Sequence, residues 1–261
     1  MLGAIAGDVI GSVYESNNVK SMDFTLYHRS AKFTDDTAMT LAVADVLLEG
    51  GAGSREAYID KYHKWFHLFP HAGYGRTFQQ WATFRVTQPY NSWGNGSAMR
   101  VSPVAYAFET LEEVLEEAEV SASVTHDHPE GVRGARAVAG SVFLARTGAT
   151  KEEIKAWVGK DIQYDLSETI DAIRPKYRFD VSCQGSVPQA IIAFLESDSF
   201  ESAIRKAISI GGDSDTIACI AGSIAEPFYG GVPDNIRLFV ESKLPWQVTT
   251  TMDAFTAKYR A

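Results

Sequence analysis

Two stretches of the chain crowd carboxylates and hydroxyls at a loop-to-helix junction. Phe33-Thr34-Asp35-Asp36-Thr37 precedes an apolar run from Ala38 to Leu48, and Gly211-Gly212-Asp213-Ser214-Asp215-Thr216 precedes another from Ile217 to Ala225. A single acid at such a place is commonly a helix cap, because its oxygen accepts an orphan backbone N–H and the helix dipole favours negative charge. A cap needs one oxygen, yet each junction offers two carboxylates and at least one hydroxyl. Packing acids together costs Coulomb repulsion unless a cation intervenes. Four carboxylates with Thr hydroxyls form an all-oxygen donor set, the ligand type of hard cations such as Mg²⁺, with Mn²⁺ also suited. The second junction is not an EF-hand, since no ligand ladder or bidentate Glu follows Asp215. Zinc lacks ligands here: the close His pair, His126 and His128 in Thr-His-Asp-His, is too small a set. Glu15 is a third acidic point, following Gly7-Asp8-Val-Ile-Gly11-Ser-Val-Tyr14; alone it would read as a surface Glu.

Two glycine-rich loops could bring backbone close to a ligand. Asn91-Ser92-Trp93-Gly94-Asn95-Gly96-Ser97-Ala98-Met99-Arg100 is polar, and its amides could cradle a phosphate while Trp93 offers a face to a base. It also reads as an ordinary turn before a helical run from Val101 to Phe108. It lacks the order of a Walker A loop and the preceding strand of a dinucleotide fingerprint. Gly73-Tyr74-Gly75-Arg76 is a shorter loop of the same kind.

The elements that must position these groups read as helices. Ala38, Met39, Leu41, Ala42, Val43, Val46 and Leu47 recur at three- and four-residue steps. Thr110-Leu-Glu-Glu113 and Thr150-Lys-Glu-Glu153 have capping-box form. Pro188 is expected to open a helix over Gln189 to Glu196, Ser199 to cap one from Phe200 to Ile210, and Asn235 to Leu244 to form another. Glu112, Glu113, Glu116, Glu117 and Glu119 read as a solvated helix face. Sustained alternation is scarce, no linker divides the chain, and no solenoid repeat is visible. The expectation is one compact, mostly α domain over residues 1–261, built of ten or more short helices.

Composition narrows the partners. The chain of 261 residues is 45% hydrophobic and 22% charged, ordinary for a globular protein. Its net charge of −9 makes it a poor coat for nucleic acid or an anionic membrane. Cys183 and Cys219 are too few for a disulfide framework and read as small buried hydrophobes. No signal peptide is evident at MLGAIAGDVIG, and the apolar stretch from Ile217 to Ala225 is far shorter than the roughly 18 residues that span a bilayer. A soluble, cytoplasmic monomer is expected.

Taken in order, Gly7-Asp8…Gly11-Ser-Val-Tyr-Glu15, Phe33-Thr-Asp-Asp-Thr37, Gly73-Tyr-Gly-Arg76, Gly94-Asn-Gly-Ser-Ala-Met-Arg100, Thr125-His126 and Gly211-Gly-Asp-Ser-Asp-Thr216 resemble the motifs of the ADP-ribosylglycohydrolase family, from the first residues to about Gly231. That family includes dinitrogenase reductase-activating glycohydrolase and the animal ADP-ribosyl hydrolases. The resemblance implies an all-α compact orthogonal bundle with two divalent cations, Mg²⁺ or Mn²⁺. It implies Thr34, Asp35, Asp36, Asp213, Asp215 and Thr216 as metal ligands, and Glu15 as a loop glutamate that approaches metals and ribose. It aligns Ser92, Trp93, Gly94, Asn95 and Gly96 with a loop that holds the diphosphate and stacks the adenine. His126 aligns with a histidine near the phosphates and distal ribose, and Gly75 with a backbone contact. Ser97 stands where many members carry Gly or Ala.

The implied activity is metal-dependent hydrolysis at the anomeric carbon of ADP-ribose, removing mono-ADP-ribose from an arginine, a serine or another acceptor, with Glu15, Asp36 and Asp213 in catalytic roles. Such cleavage passes through an oxocarbenium-like transition state. Two other readings are hydrolysis of small free ADP-ribose derivatives such as ADP-ribose 1″-phosphate, and non-catalytic ADP-ribose binding. The intact ligand set disfavours the binder.

Overall fold

The structure, a computed structural model, describes residues 1–259. The chain forms α1 (Leu2–Ser16), α2 (Asp35–Leu48), α3 (Arg55–Leu68), α4 (Arg76–Thr83), α5 (Gly96–Met99), α6 (Val104–Ala107) and α7 (Leu111–Ser123). There follow α8 (Pro129–Arg146), α9 (Lys151–Trp157), which runs into a π-helical turn at Val158–Ile162, α10 (Ile170–Ile173) and α11 (Cys183–Leu195). The last elements are α12 (Phe200–Ser209), α13 (Ser214–Phe228), α14 (Asp234–Glu241) and α15 (Trp246–Tyr259). Among the described residues there is no sheet, only an antiparallel bridge between Gly94 and Ser182. The all-α bundle of many short helices expected from the sequence is therefore the observed architecture, and among the described residues no helix is long and apolar enough to cross a membrane.

The centre of the bundle is the pair α1 and α13, helices from opposite ends of the sequence. Gly3, Gly7 and Gly11 recur every four residues and so share one face of α1. A Cβ on Gly7 would lie 2.0 Å from the Ala218 carbonyl oxygen, and one on Gly11 would lie 2.5 Å from the Asp215 Cα. The two backbones touch along this seam, which fits only glycine on α1. That contact brings the Asp8 and Glu15 helix against the start of α13. Helix α2 lies beside them with residues 36–47 all buried, consistent with its nearly continuous apolar sequence.

Local signals worked where they were explicit. Both capping boxes form, with Thr110 accepting from the Glu113 amide and Thr150 from the Glu153 amide. Ser199 caps α12 by accepting from Ser202. Three expectations need correction. Helix α11 starts at Cys183, because the Ser182 hydroxyl accepts the Gly185 amide and caps the chain there; Pro188 lies inside the helix, and the carbonyl it leaves unpaired belongs to exposed Gln184. The run from Val101 to Phe108 is helical only over α6. Glu117 is not on the solvated face. It is buried, accepting from the Tyr58 hydroxyl at 2.6 Å and the Gly53 amide at 2.8 Å, because it follows Val114 by one helical turn on the apolar side.

Candidate active site

One cavity of about 640 Å³ gathers most of the residues singled out in the sequence. Glu15, Thr34, Asp35, Asp36, Gly75, Ser92, Gly94, Asn95, Gly96, His126, Asp213, Asp215 and Thr216 all line it. Trp93 does not. Its ring is 54% exposed and packs edge-on against His128, with centroids 5.6 Å apart. The aromatic groups that do face the cavity are Tyr74, Phe78, Tyr90 and the 57%-exposed Phe179 at its rim. Glu15 stands in the last turn of α1 and not on a loop.

The structure separates capping from ligation at both acidic helix starts. The N-terminus of α2 is tied down from outside by Asp8 of α1, a fully buried carboxylate. Its oxygens accept from the Thr34 amide at 2.9 Å, the Thr34 hydroxyl at 2.6 Å, the Thr37 amide at 3.1 Å and the Thr37 hydroxyl. Asp36 is thereby free of that duty. Its Oδ1 is buried without a hydrogen-bond partner among the described residues, and its Oδ2 meets the Thr34 and Thr216 hydroxyls only at 3.4 Å. At the other junction Asp213 occupies the N-cap position of α13 but caps no amide. It accepts instead from Asn95 Nδ2 at 2.6 Å, which ties it to the glycine-rich loop.

The carboxylates converge. Oxygens of Asp8, Asp36 and Asp215 lie within 4.8 Å of one another, and so do oxygens of Glu15, Asp213 and Asp215, which leaves Asp215 shared between two acidic groups. Asp35 belongs to neither group. It faces the cavity beside Gly73, where a Cβ would come within 3.3 Å of its Oδ1. Burial and mutual repulsion push all these acids upward. Asp36 and Asp215 rise well above the usual carboxylate range, first through desolvation and then through the charges of Asp8 and Asp36 respectively. Asp35 is pushed up to about 8, by desolvation and then by Asp8. Desolvation raises Asp8 and Asp213 as well, against the hydrogen bonds they accept. An orphaned buried carboxylate oxygen inside a ring of like charges fits a hard divalent cation.

The sequence reading missed Asp8 as a site residue. Its signal was visible: an acid interrupting an otherwise apolar, glycine-spaced helix. It also missed Arg100, a buried residue of the cavity wall that stacks over Tyr62 at 4.2 Å.

Residues 1–241 match the ADP-ribosylglycohydrolase family. The chain belongs to this family. It is accordingly an ADP-ribosyl hydrolase, a glycosidase. The ADP-ribosylhydrolase ARH3 of Mus musculus is 26% identical to this glycohydrolase, with 88% of this chain and 82% of the mouse protein aligned. The ADP-ribosylarginine hydrolase Tri1 of Pseudomonas putida (strain GB-1) is also 26% identical, over 89% of this chain and 71% of its own. A solved structure described as an ADP-ribosylglycohydrolase-related protein complex has the same fold, with a TM-score of 0.76, 24% identity, and coverage of 99% of this chain and 95% of that one.

Proposed function

We propose that this glycohydrolase removes mono-ADP-ribose from a modified arginine or serine side chain, with two divalent cations, Mg²⁺ or Mn²⁺, at the acidic end of its cavity. The observation that carries the reading is the unpartnered, buried Asp36 Oδ1 amid converging carboxylates. Thr34, Asp35, Asp36, Asp213, Asp215 and Thr216 would hold the cations. Bound there, such ions supply Lewis acidity toward the ribose hydroxyls and lower the pKa of water.

The protein's own groups divide the remaining work. Asp36 or Asp213 would accept the proton released when water attacks the anomeric carbon. Glu15 lines the cavity at the mouth-side end of α1. Desolvation and the neighbouring Asp213 charge raise its pKa, which suits a carboxyl that donates a proton to the departing acceptor. Gly94 and Gly96 leave room for a diphosphate beside His126, since a Cβ at Gly96 would approach His126 Nε2 to 3.2 Å. Phe179 offers an exposed ring at the rim for the adenine or the acceptor.

The test is a panel of arginine-linked, serine-linked, nucleic-acid-linked and 1″-phosphate ADP-ribose, incubated with the enzyme and Mg²⁺, with released ADP-ribose measured. Release from a modified side chain is the expected result. Turnover of the 1″-phosphate alone would overturn it.

A further inference from the structure

Behind the glycine-rich loop runs a buried chain of polar groups that ends at the cavity wall. Arg100 is 1% exposed and has no carboxylate partner among the described residues. Its guanidinium lies over the Tyr62 ring, and its Nη2 donates to the Ser121 carbonyl at 3.2 Å and to Thr125 Oγ1 at 2.9 Å. Thr125, fully buried, is 2.8 Å from His126 Nδ1 through the same oxygen. The other ring nitrogen, Nε2, faces Gly94 and Gly96 and has no protein partner among the described residues.

Counting protons fixes the direction of this chain. Arginine in a protein only donates, so Thr125 accepts from it. The hydroxyl then has one proton to place. If His126 carried its proton on Nδ1, Thr125 would accept twice and its own buried O–H would be left over, an unsatisfied buried donor. The Tyr90 hydroxyl also lies near Thr125, but a phenol oxygen is a weaker acceptor than an imidazole nitrogen, and the short contact is the one to Nδ1.

We infer that Arg100, acting through Thr125, is a positioning residue that locks His126 as the neutral tautomer with its proton on Nε2, so that the cavity is offered a hydrogen-bond donor without a titrating charge. Burial, followed by the Arg100 charge, holds the His126 pKa well below the usual histidine value, in keeping with a permanently neutral ring. The ligand chemistry that such a donor recognises is an anionic or hydroxyl oxygen, such as a diphosphate or ribose oxygen. This last point rests on the proposed function above; the tautomer itself does not.

The experiment is ¹⁵N NMR of the histidine-labelled, ligand-free enzyme, with His126 assigned by comparison with His126→Gln. The expected result is a pyrrole-like Nε2 bearing hydrogen and a pyridine-like Nδ1. Thr125→Val, nearly isosteric, should release the lock, shift intensity toward the Nδ1–H form and weaken ADP-ribose binding about tenfold. Thr125→Ser, which keeps the hydroxyl, should restore both signatures, and Arg100→Lys should restore them in part. A wild-type spectrum with hydrogen on Nδ1, or an unchanged tautomer in Thr125→Val, would overturn the inference. Failure of the wild-type enzyme to bind ADP-ribose would count against the proposed function while leaving the tautomer result standing.

Discussion

The two ends of the cavity are built on opposite principles. At the loop end, most polar groups have found partners, His126 Nε2 and Arg100 Nε being exceptions among the described residues. Asn95 donates to Ser186 at 2.9 Å and to Asp213 at 2.6 Å, its amide reaches the Val181 carbonyl at 2.7 Å, and Ser97 donates to the Gly131 carbonyl at 2.7 Å. At the acidic end, carboxylates from α1, α2 and α13 face one another, and one oxygen has no partner. A satisfied network is rigid and holds a ligand in place. An unsatisfied, like-charged cluster stores unfavourable energy that a cation can relieve. Under the proposed function, position and reactivity fall to different walls of one cavity, joined by the Asn95–Asp213 hydrogen bond.

That division makes unequal predictions. The largest effect belongs to Asp213, which serves both walls: Asp213→Ala should lower kcat/KM for an ADP-ribosylated peptide by about 10³-fold or more, a size typical of losing a group that acts on the transition state, while circular dichroism stays native. A variant within tenfold of wild type would end its catalytic assignment. Next comes the stored repulsion. Mg²⁺ at about 100 times its dissociation constant should stabilise the fold by about 2.7 kcal/mol, seen as a rise in melting temperature of several degrees; no rise would remove the cation from the picture.

A pH series sharpens the same point. Asp35 has a folded-state pKa raised to about 8 from 3.8, so the folded state binds the extra proton. Its contribution to stability is present below about pH 4 and is lost as the pH climbs through 8. Metal-free enzyme should therefore melt progressively lower over that window, and Mg²⁺ should flatten the slope. A melting temperature that rises through the window without metal would contradict the raised acids.

At the loop wall the effect should be smaller and of another kind. His126→Ala should raise KM about tenfold with kcat little changed, the signature of lost uniform binding. A drop in kcat at constant KM would move His126 to the reactive wall. Smallest of all is a gain, at alkaline pH where Asp36 is ionised: Asp36→Asn then removes one charge from the cluster, so the metal-free protein should become more stable by about 1 kcal/mol even as turnover is lost. Destabilisation without metal would show that the charge was not repulsive.

Much of this was legible in the sequence, for physical reasons. Thr34, Asp35, Asp36, Asp213, Asp215 and Thr216 stood out because two acids at one helix start exceed what a cap requires. Thr110 and Thr150 announced their helices because a capping box is a local device, complete within four residues. Asp8 was passed over because its partners, Thr34 and Thr37, lie 26 and 29 residues away. The start of α11 was misplaced because Pro188 is a strong signal and Ser182 a weak one, yet the weaker signal sets the end. Trp93 stays outside the cavity lining and packs on His128, a contact at the α8 start that no spacing rule contains.

The glycine seam between α1 and α13 has a further consequence for how the enzyme comes into being. Tyr14 and Ser214, which meet across it, are 200 positions apart in the chain. Asp8 and Glu15 therefore emerge early in synthesis and must wait for Asp213 and Asp215. Contacts of such long range form late, after the entropy of closing the intervening chain has been met. A partly made chain can carry Asp8, Asp36 and the glycine loop in full and still have no catalytic centre. If the proposed centre is right, activity should appear only once α13 has closed onto α1.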